Sequence, residues 1–362
     1  VNFISSEKNK PEYFLLKDSK KIISSKKGKW IKLNSGEKSF IRVSYPSNYF
    51  TLLEKPIRDK SLSEEDRFGI VRDVFALSQA GKMPTTDALR LLSSYKNEDS
   101  YIVWMEIVSD LLQLSKLLYG QDYHPAFNKY MGEILRNIVK KVGWSKKAGE
   151  SYAVTLMRGV LIYAMGAAGD KRTIATAKNI FGKVLQNKKI DPDLRAAVYR
   201  LIAENGGATE YEKLEKLYKK TSLQEEKDRA LRALCSFRDE KLLVKALRLS
   251  LTDSARSQDL LKSISAVWAN PWGRYTAWNF LKSHWEKIVK RFEGGHLFPR
   301  FIQPAENFVT KKDAKDVESF FKKNPALGID RTIAQAVEQI RSNSMWIQKD
   351  GDNIRNFLKD SN

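Results

Sequence analysis

The sequence holds little of what most catalytic centres are built from. Among its 362 residues Cys235 is the only cysteine, and the histidines are His124, His284 and His296. A single thiol excludes an internal disulfide and a cysteine-based metal cage within the chain. No two histidines have the His-Glu-x-x-His spacing that sets two imidazoles one helical turn apart with a carboxylate as base, so a zinc-peptidase helix is absent. His284 is followed by Trp285 and Glu286, but one imidazole and one carboxylate do not make a metal site. Gly-x-x-x-x-Gly-Lys-Ser/Thr, Gly-x-Gly-x-x-Gly and Gly-x-Ser-x-Gly are all missing, which removes support for phosphate-cradling loops and for a hydrolase nucleophile elbow. Cys235 falls within the apolar spacing of Leu231 and Leu234 and reads as a core thiol. The carboxylate pairs Glu64-Glu65 and Glu225-Glu226 stand at expected helix starts, where the helix dipole favours negative charge.

Long apolar runs are also missing. The longest uncharged one, Gly159 to Gly169, is far shorter than the ~20 residues that span a bilayer, and no basic-then-apolar segment opens the chain. No membrane partner is expected. There is no Asn-x-Ser/Thr sequon, and together with the single cysteine this points to a cytoplasmic protein. Acidic residues are the minority, 43 against 64 Lys and Arg, for a formal charge of +21. Such a surface attracts anions. The lysines nevertheless come as scattered pairs near acidic residues, from Lys20-Lys21 to Lys322-Lys323, and predict a solvated surface with no nucleic-acid face. The first residue, Val1, already sits inside an apparent strand, which predicts a piece of a longer polypeptide.

What is present divides at about residue 46. Before it, short β-rich segments alternate with turns: Val1 to Ile4, Tyr13 to Leu16, Ile22-Ile23, Trp30 to Leu33 and Phe40 to Tyr45. Asn34-Ser35-Gly36 predicts a hairpin between the last two, with Ile31, Leu33, Ile41 and Val43 on one face. Pro46 and Pro56 punctuate a connector, and from Ser63 the pattern is helix, short turn, helix, with about sixteen helices expected. The stretch Ser63 to Leu92 shows the change: Ser63 can cap a helix with Asp66 at the end of its first turn, and Gly81 can close it. Val71, Val74, Phe75 and Ser78 give it a buried face, and Arg67 and Arg72 are expected on the opposite one. Helix pairs recur at irregular intervals of about thirty to forty residues, as in degenerate HEAT-like arrays. Apolar stripes such as Leu194, Val198, Leu201 and Ile202 need a neighbour to be buried, and stacking them makes a curved solenoid with a concave face. The expected fold is mostly α: a HEAT-like superhelix over residues 63–362, preceded by a partial antiparallel β-sandwich over 1–46 and a connector over 47–62.

Certain segments, in order, resemble the C-terminal half of the large gluzincin zinc aminopeptidases, the family of aminopeptidase N, puromycin-sensitive aminopeptidase and the endoplasmic-reticulum aminopeptidases. They are Trp30 to Asn34, Phe40 to Tyr45, Asp66 to Leu77 with Ala80-Gly81, Trp104 and Glu106, Asn270-Pro271-Trp272-Gly273-Arg274, Ala277 to Phe280, Trp285, Val317 to Phe321, and Trp346. The resemblance implies a parent enzyme that removes N-terminal residues from peptides. The zinc and the catalytic groups would belong to a domain of the same polypeptide upstream of Val1, leaving no cofactor and no catalytic residue in this chain. The helical face would close over the active site and limit and hold the peptide substrate. It implies peptide binding at Lys116, which stands as Ser115-Lys116 where long-peptide trimmers have Tyr-Lys, and at Arg238, two residues beyond Ser236, where another member has its arginine. Asp66, Arg67, Asn270 and Trp278 read as structural junction residues: an arginine fork suits a domain junction, and Asn270 before Pro271 suits a helix entry. The residues alone equally allow a non-catalytic peptide- or protein-binding helical scaffold.

Overall fold

The computed structural model describes residues 1–23, 26–251 and 257–360. The N-terminal unit is a sheet of three antiparallel strands, β1 (Asn2–Ser5), β2 (Lys8–Tyr13) and β3 (Ile31–Leu33), in the order β2-β1-β3. The expected strands at 22–23 and 40–45 do not form, the one expected at 13–16 lies earlier, as Lys8–Tyr13, and Leu15, Leu16, Ile22 and Phe40 are exposed.

The hairpin fails because side chains take the backbone groups that would have paired. After β3, Asn34 turns left-handed (φ 54°), and Ser35–Glu37 coil into a single 3-10 turn. Gly36 N–H donates to Asp66 at 2.8 Å, and the Ser35 hydroxyl donates to the same carboxylate at 3.2 Å. Leu33 N–H donates to the Tyr45 hydroxyl at 2.9 Å, and Val43 N–H to Asp73 at 2.9 Å. Each donor is satisfied without a ladder, so the segment docks on the first long helix instead of extending the sheet.

The helices follow in chain order: α1 (Phe50–Arg58), α2 (Glu64–Gln79), α3 (Thr85–Leu92), α4 (Tyr101–Leu117), α5 (His124–Val142), α6 (Tyr152–Ala167), α7 (Lys171–Leu185) and α8 (Pro192–Glu204). Then come α9 (Ala208–Lys220), α10 (Gln224–Leu234), α11 (Glu240–Leu249), α12 (Ser257–Ala269), α13 (Arg274–Ser283), α14 (Trp285–Phe292), α15 (Lys311–Lys323) and α16 (Asp330–Asp360). In α2 the Ser63 hydroxyl accepts the Asp66 N–H at 3.2 Å, and Gly81 closes the far end at φ +65°. Val71, Val74, Phe75 and Ser78 are buried. Arg67 is not on a solvated face: it is buried, with its guanidinium 2.6 and 3.0 Å from Glu98 and 2.6 Å from the Leu62 carbonyl. The loop that carries Glu98 covers this side of α2, and the bidentate pair with an added carbonyl makes the burial tolerable. Burial alone would raise Glu98, but its bonds from Arg67, Ser100 N–H and Asp99 N–H hold it below the usual carboxylate value.

Along the superhelix α4, α6, α8, α10 and α12 pack in succession as an inner layer, each joined to the next by the helix between them. The tightest step is α6 on α8. A Cβ at Gly159 would lie 2.7 Å from the Asp193 carbonyl oxygen, and one at Gly166 would lie 2.4 Å from Leu201 Cδ2. Two core clusters divide there, one running from α1 to α6 and the other from α6 to α16.

The 31-residue α16 then turns the array back on its own beginning. Its Ala336, Val337 and Ile340 lie in the later core, and its Trp346, Ile354 and Leu358 in the earlier one. At the closure Asp350 accepts the Thr85 N–H at 2.6 Å and also the Thr85 hydroxyl, while the Trp346 indole N–H donates to that hydroxyl at 2.7 Å. Asp350→Ala strips buried donors of a charged acceptor and should cost about 2–3 kcal/mol in urea unfolding. A change below about 0.5 kcal/mol, the level of an ordinary surface substitution, would show that closure does not depend on this cluster.

Candidate functional site

The inner layer, the Asn270-Pro271-Trp272 turn and residues 300–307 enclose a cavity of about 1040 Å³. Lys116 and Arg238, 122 positions apart in sequence, both line it. Lys116 stands in the last turn of α4, where its backbone carbonyl accepts a hydrogen bond from Arg274 Nη2 at 2.6 Å. Its ammonium has no hydrogen-bonding or ion-pair partner among the described residues. Burial pushes its pKa down to about 8, the Arg200 and Arg274 guanidinia push the same way, and Glu204 opposes them. Arg274, itself buried, is pulled down to about 10 by desolvation.

The groups around Lys116 are committed to one another. Glu204 is buried and accepts the Tyr163 hydroxyl at 2.9 Å and Arg200 Nε at 2.9 Å, with the Arg200 guanidinium 3.9 Å above the Tyr163 ring. Burial first, and the Glu204 charge second, hold the Tyr163 phenol well above its ordinary value, so it remains a hydrogen-bond donor. Nearby, His124 lies 3.1 Å from the Ser115 hydroxyl, and burial lowers its pKa. Its ring is therefore neutral at pH 7.

Arg238 is positioned by a chain of contacts that begins at Asn270. The Asn270 side-chain amide donates to the Phe237 carbonyl at 2.7 Å and the Cys235 carbonyl at 3.3 Å, and its oxygen accepts the Trp272 N–H at 3.2 Å. One buried amide thus fixes both the turn that carries Arg238 and the tryptophan beneath it. The guanidinium sits 4.5 Å from the Trp272 ring, and Trp272 meets Tyr119 edge-on at 5.1 Å. Cys235 lies behind this wall, fully buried, with its thiol pushed up to about 12 by desolvation, so no thiolate is available as a nucleophile at neutral pH.

Of the residues singled out in the sequence, Lys116, Arg238 and Asn270 come together at this cavity. Asp66 and Arg67 lie at the strand-to-helix junction, and Trp278 is buried in the later core, where its indole N–H donates to Asp316 at 2.6 Å. Sequence reading did not single out Tyr163, Arg200, Glu204, Arg232 and Arg300, which also line the cavity. The Arg200 to Glu204 spacing on α8 and the Arg229 to Arg232 spacing on α10 are helical-face signals, but nothing in them says that the two faces meet. Among the described residues no group of three or more His, Cys, Asp or Glu side chains is arranged to hold a metal ion. No helix among them is long and apolar enough to cross a membrane.

Lys116 should titrate near 8, against 10.5 for an ordinary lysine. Between those values the unfolded chain keeps the proton that the folded chain has released, so this group's contribution to stability rises with pH across that window. NMR titration of the chain after ¹³C reductive methylation should show one such midpoint, absent in Lys116→Met. A midpoint at the ordinary lysine value of about 10.4 would mean the ammonium is solvated.

The ERAP1-like C-terminal domain family matches residues 30–342. Aminopeptidase M1-B of Oryza sativa subsp. japonica is 31% identical over 330 residues, covering 88% of this chain and 37% of that protein. Aminopeptidase M1 of Arabidopsis thaliana is 30% identical over 341 residues, covering 91% of this chain and 38% of that protein. Alanine/arginine aminopeptidase of Saccharomyces cerevisiae is 29% identical over 352 residues, covering 96% of this chain and 41% of that protein. The chain therefore spans about two fifths of the length of these relatives. With a family match over most of its length and a helical array that agrees with it, the chain belongs to the ERAP1-like C-terminal domain family of the M1 aminopeptidases.

Proposed function

We propose that this chain is the non-catalytic C-terminal portion of a cytoplasmic zinc metallo-aminopeptidase that releases N-terminal residues from peptides. In this reading the helical superhelix from residue 63 caps an active site carried by a zinc domain of the same polypeptide. Its cavity receives the far end of the peptide and so selects for length. The partial β-sandwich of residues 1–46 and the connector of 47–62 set the cap against that domain.

The observation that carries the proposal is the convergence of Lys116 and Arg238 on one cavity of a family cap domain. A C-terminal carboxylate is the anion common to all peptides. An ammonium without a partner in a partly desolvated wall gains more from it than an exposed lysine does. Tyr163 adds a neutral donor nearby, and the Arg200–Glu204 pair, already satisfied, leaves Lys116 as the open charge.

In the complete enzyme Lys116→Ala should lower kcat/KM for peptides of about nine residues by roughly tenfold, the worth of one charge-assisted contact. It should change the hydrolysis of an aminoacyl fluorophore less than about twofold. Equal losses on both substrates would remove the anchoring role. The 362-residue chain by itself should bind no stoichiometric zinc and turn over no aminoacyl fluorophore. Either activity in the isolated chain would overturn the assignment. An upstream reading frame lacking His-Glu-x-x-His would favour a peptide-binding scaffold instead.

A further inference from the structure

The cavity carries more positive charge than one carboxylate can use. Its lining includes seven Lys and Arg side chains against two carboxylates, Glu204 and Glu306. Three of the seven are already paired: Arg200 with Glu204, Arg229 with Glu225 and Glu226, and Lys262 with Asp228 and Asp259. The other four, Lys116, Arg232, Arg238 and Arg300, have no carboxylate partner among the described residues. They come from four separate segments, the end of α4, the end of α10, the turn after it and the stretch after α14, so folding alone brings them together. Glu306 is the one lining carboxylate without an ion-pair partner among the described residues, and desolvation raises its carboxyl.

Like charges facing one cavity repel, and an occupant of opposite sign relieves the repulsion. Screening by salt makes each exposed arginine weak by itself, but several cations around one low-dielectric cleft focus their field on whatever enters it. The lining is not that of a bare phosphate site. Tyr119 and Trp272 meet edge-on at one wall, and Ala196, Ala233, Ala266 and Ala269 add apolar lining. That mixture suits an extended chain whose side chains alternate between packing and charge.

We propose that the cavity selects peptides with acidic side chains in the residues just before the C-terminus, Arg232 and Arg238 holding those carboxylates while Lys116 holds the terminal one. The proposal rests on the cap-domain reading above and adds a sequence preference to it. Arg238 is poised for this by Trp272, which holds the guanidinium by its face and leaves its N–H edge free for a carboxylate. Arg232 stands in the last turn of α10, within the same lining.

The test uses the 362-residue chain and N-terminally labelled peptides of about nine residues, followed by fluorescence anisotropy. One peptide carries Asp-Glu immediately before the last residue and the other Asn-Gln, and each is made as free acid and as C-terminal amide. The acidic free acid should bind about tenfold tighter than the neutral free acid, with the gap shrinking as salt rises. In R232Q/R238Q the gap should close while the preference for free acid over amide persists. In Lys116→Ala the reverse should hold. A cooperative thermal transition in each variant shows that it folds. Equal binding of acidic and neutral free acids, both tighter than their amides, would overturn the acidic preference and leave the cap-domain reading standing. Equal binding of free acids and amides would overturn the anchoring on which the proposal rests. A gap unchanged in R232Q/R238Q would overturn the assignment to these arginines.

Discussion

The rest of this structure depends on one close approach, that of α6 to α8. At Gly159 and Gly166 there is no room for a side chain between the two helices. Helix pairs with ordinary side chains sit about 8–10 Å apart, and glycines at two points of one contact permit the near end of that range. This spacing fixes the curvature of the inner layer where the two cores meet. It also places Tyr163 and Ala167 of α6 beside Arg200 and Glu204 of α8, so the hydrogen-bonded floor of the cavity follows from the backbone contact. A packing constraint, rather than a polar one, sets the site's geometry.

Much of the helical part was legible from local chemistry. Ser63 and Gly81 marked the ends of α2, and the stripe of Leu194, Val198, Leu201 and Ile202 marked a face that α8 does bury. These signals act within a few residues, and one sequence suffices to read them. The β unit was harder. Its residues 40–45 have strand composition, but Asp73 and Tyr45 claim the backbone donors first, and nothing local announces a carboxylate 30 residues downstream. Arg67 misled for the same reason: its helical position suggested solvent, while Glu98 waited in a loop 31 residues away. The candidate site shows the same limit more strongly. Lys116 and Arg238 were singled out through resemblance, and Arg232, Arg300 and the Tyr163–Glu204–Arg200 set join them at one cavity only because non-adjacent segments meet.

The chain treats its charges in two ways. At the strand-to-helix junction Lys32, Glu37, Asp66, Arg67 and Glu98 are all nearly buried and each is matched by an opposite charge. Such pairs contribute little net stability but fix geometry, because removing one member strands the other. In the cavity the order is reversed: the cations outnumber their partners and the protein leaves them open. Structural charge is paired within the chain, and the charge left over is available to a ligand.

Closure by α16 has a consequence for how such a protein is made. The bond from Asp350 to Thr85 joins positions 265 residues apart, and Asn343 of the same helix holds the Glu306 and Phe308 carbonyls beside the cavity. Contacts of such long sequence separation form late, whereas neighbouring helix pairs can settle as the ribosome releases them. During synthesis the nascent chain is therefore an open spiral with its inner face uncovered. It becomes a ring only when α16 emerges. A ribosome that stalls before that point releases a spiral with both apolar cores unsealed, which quality control can distinguish from the finished product by surface alone.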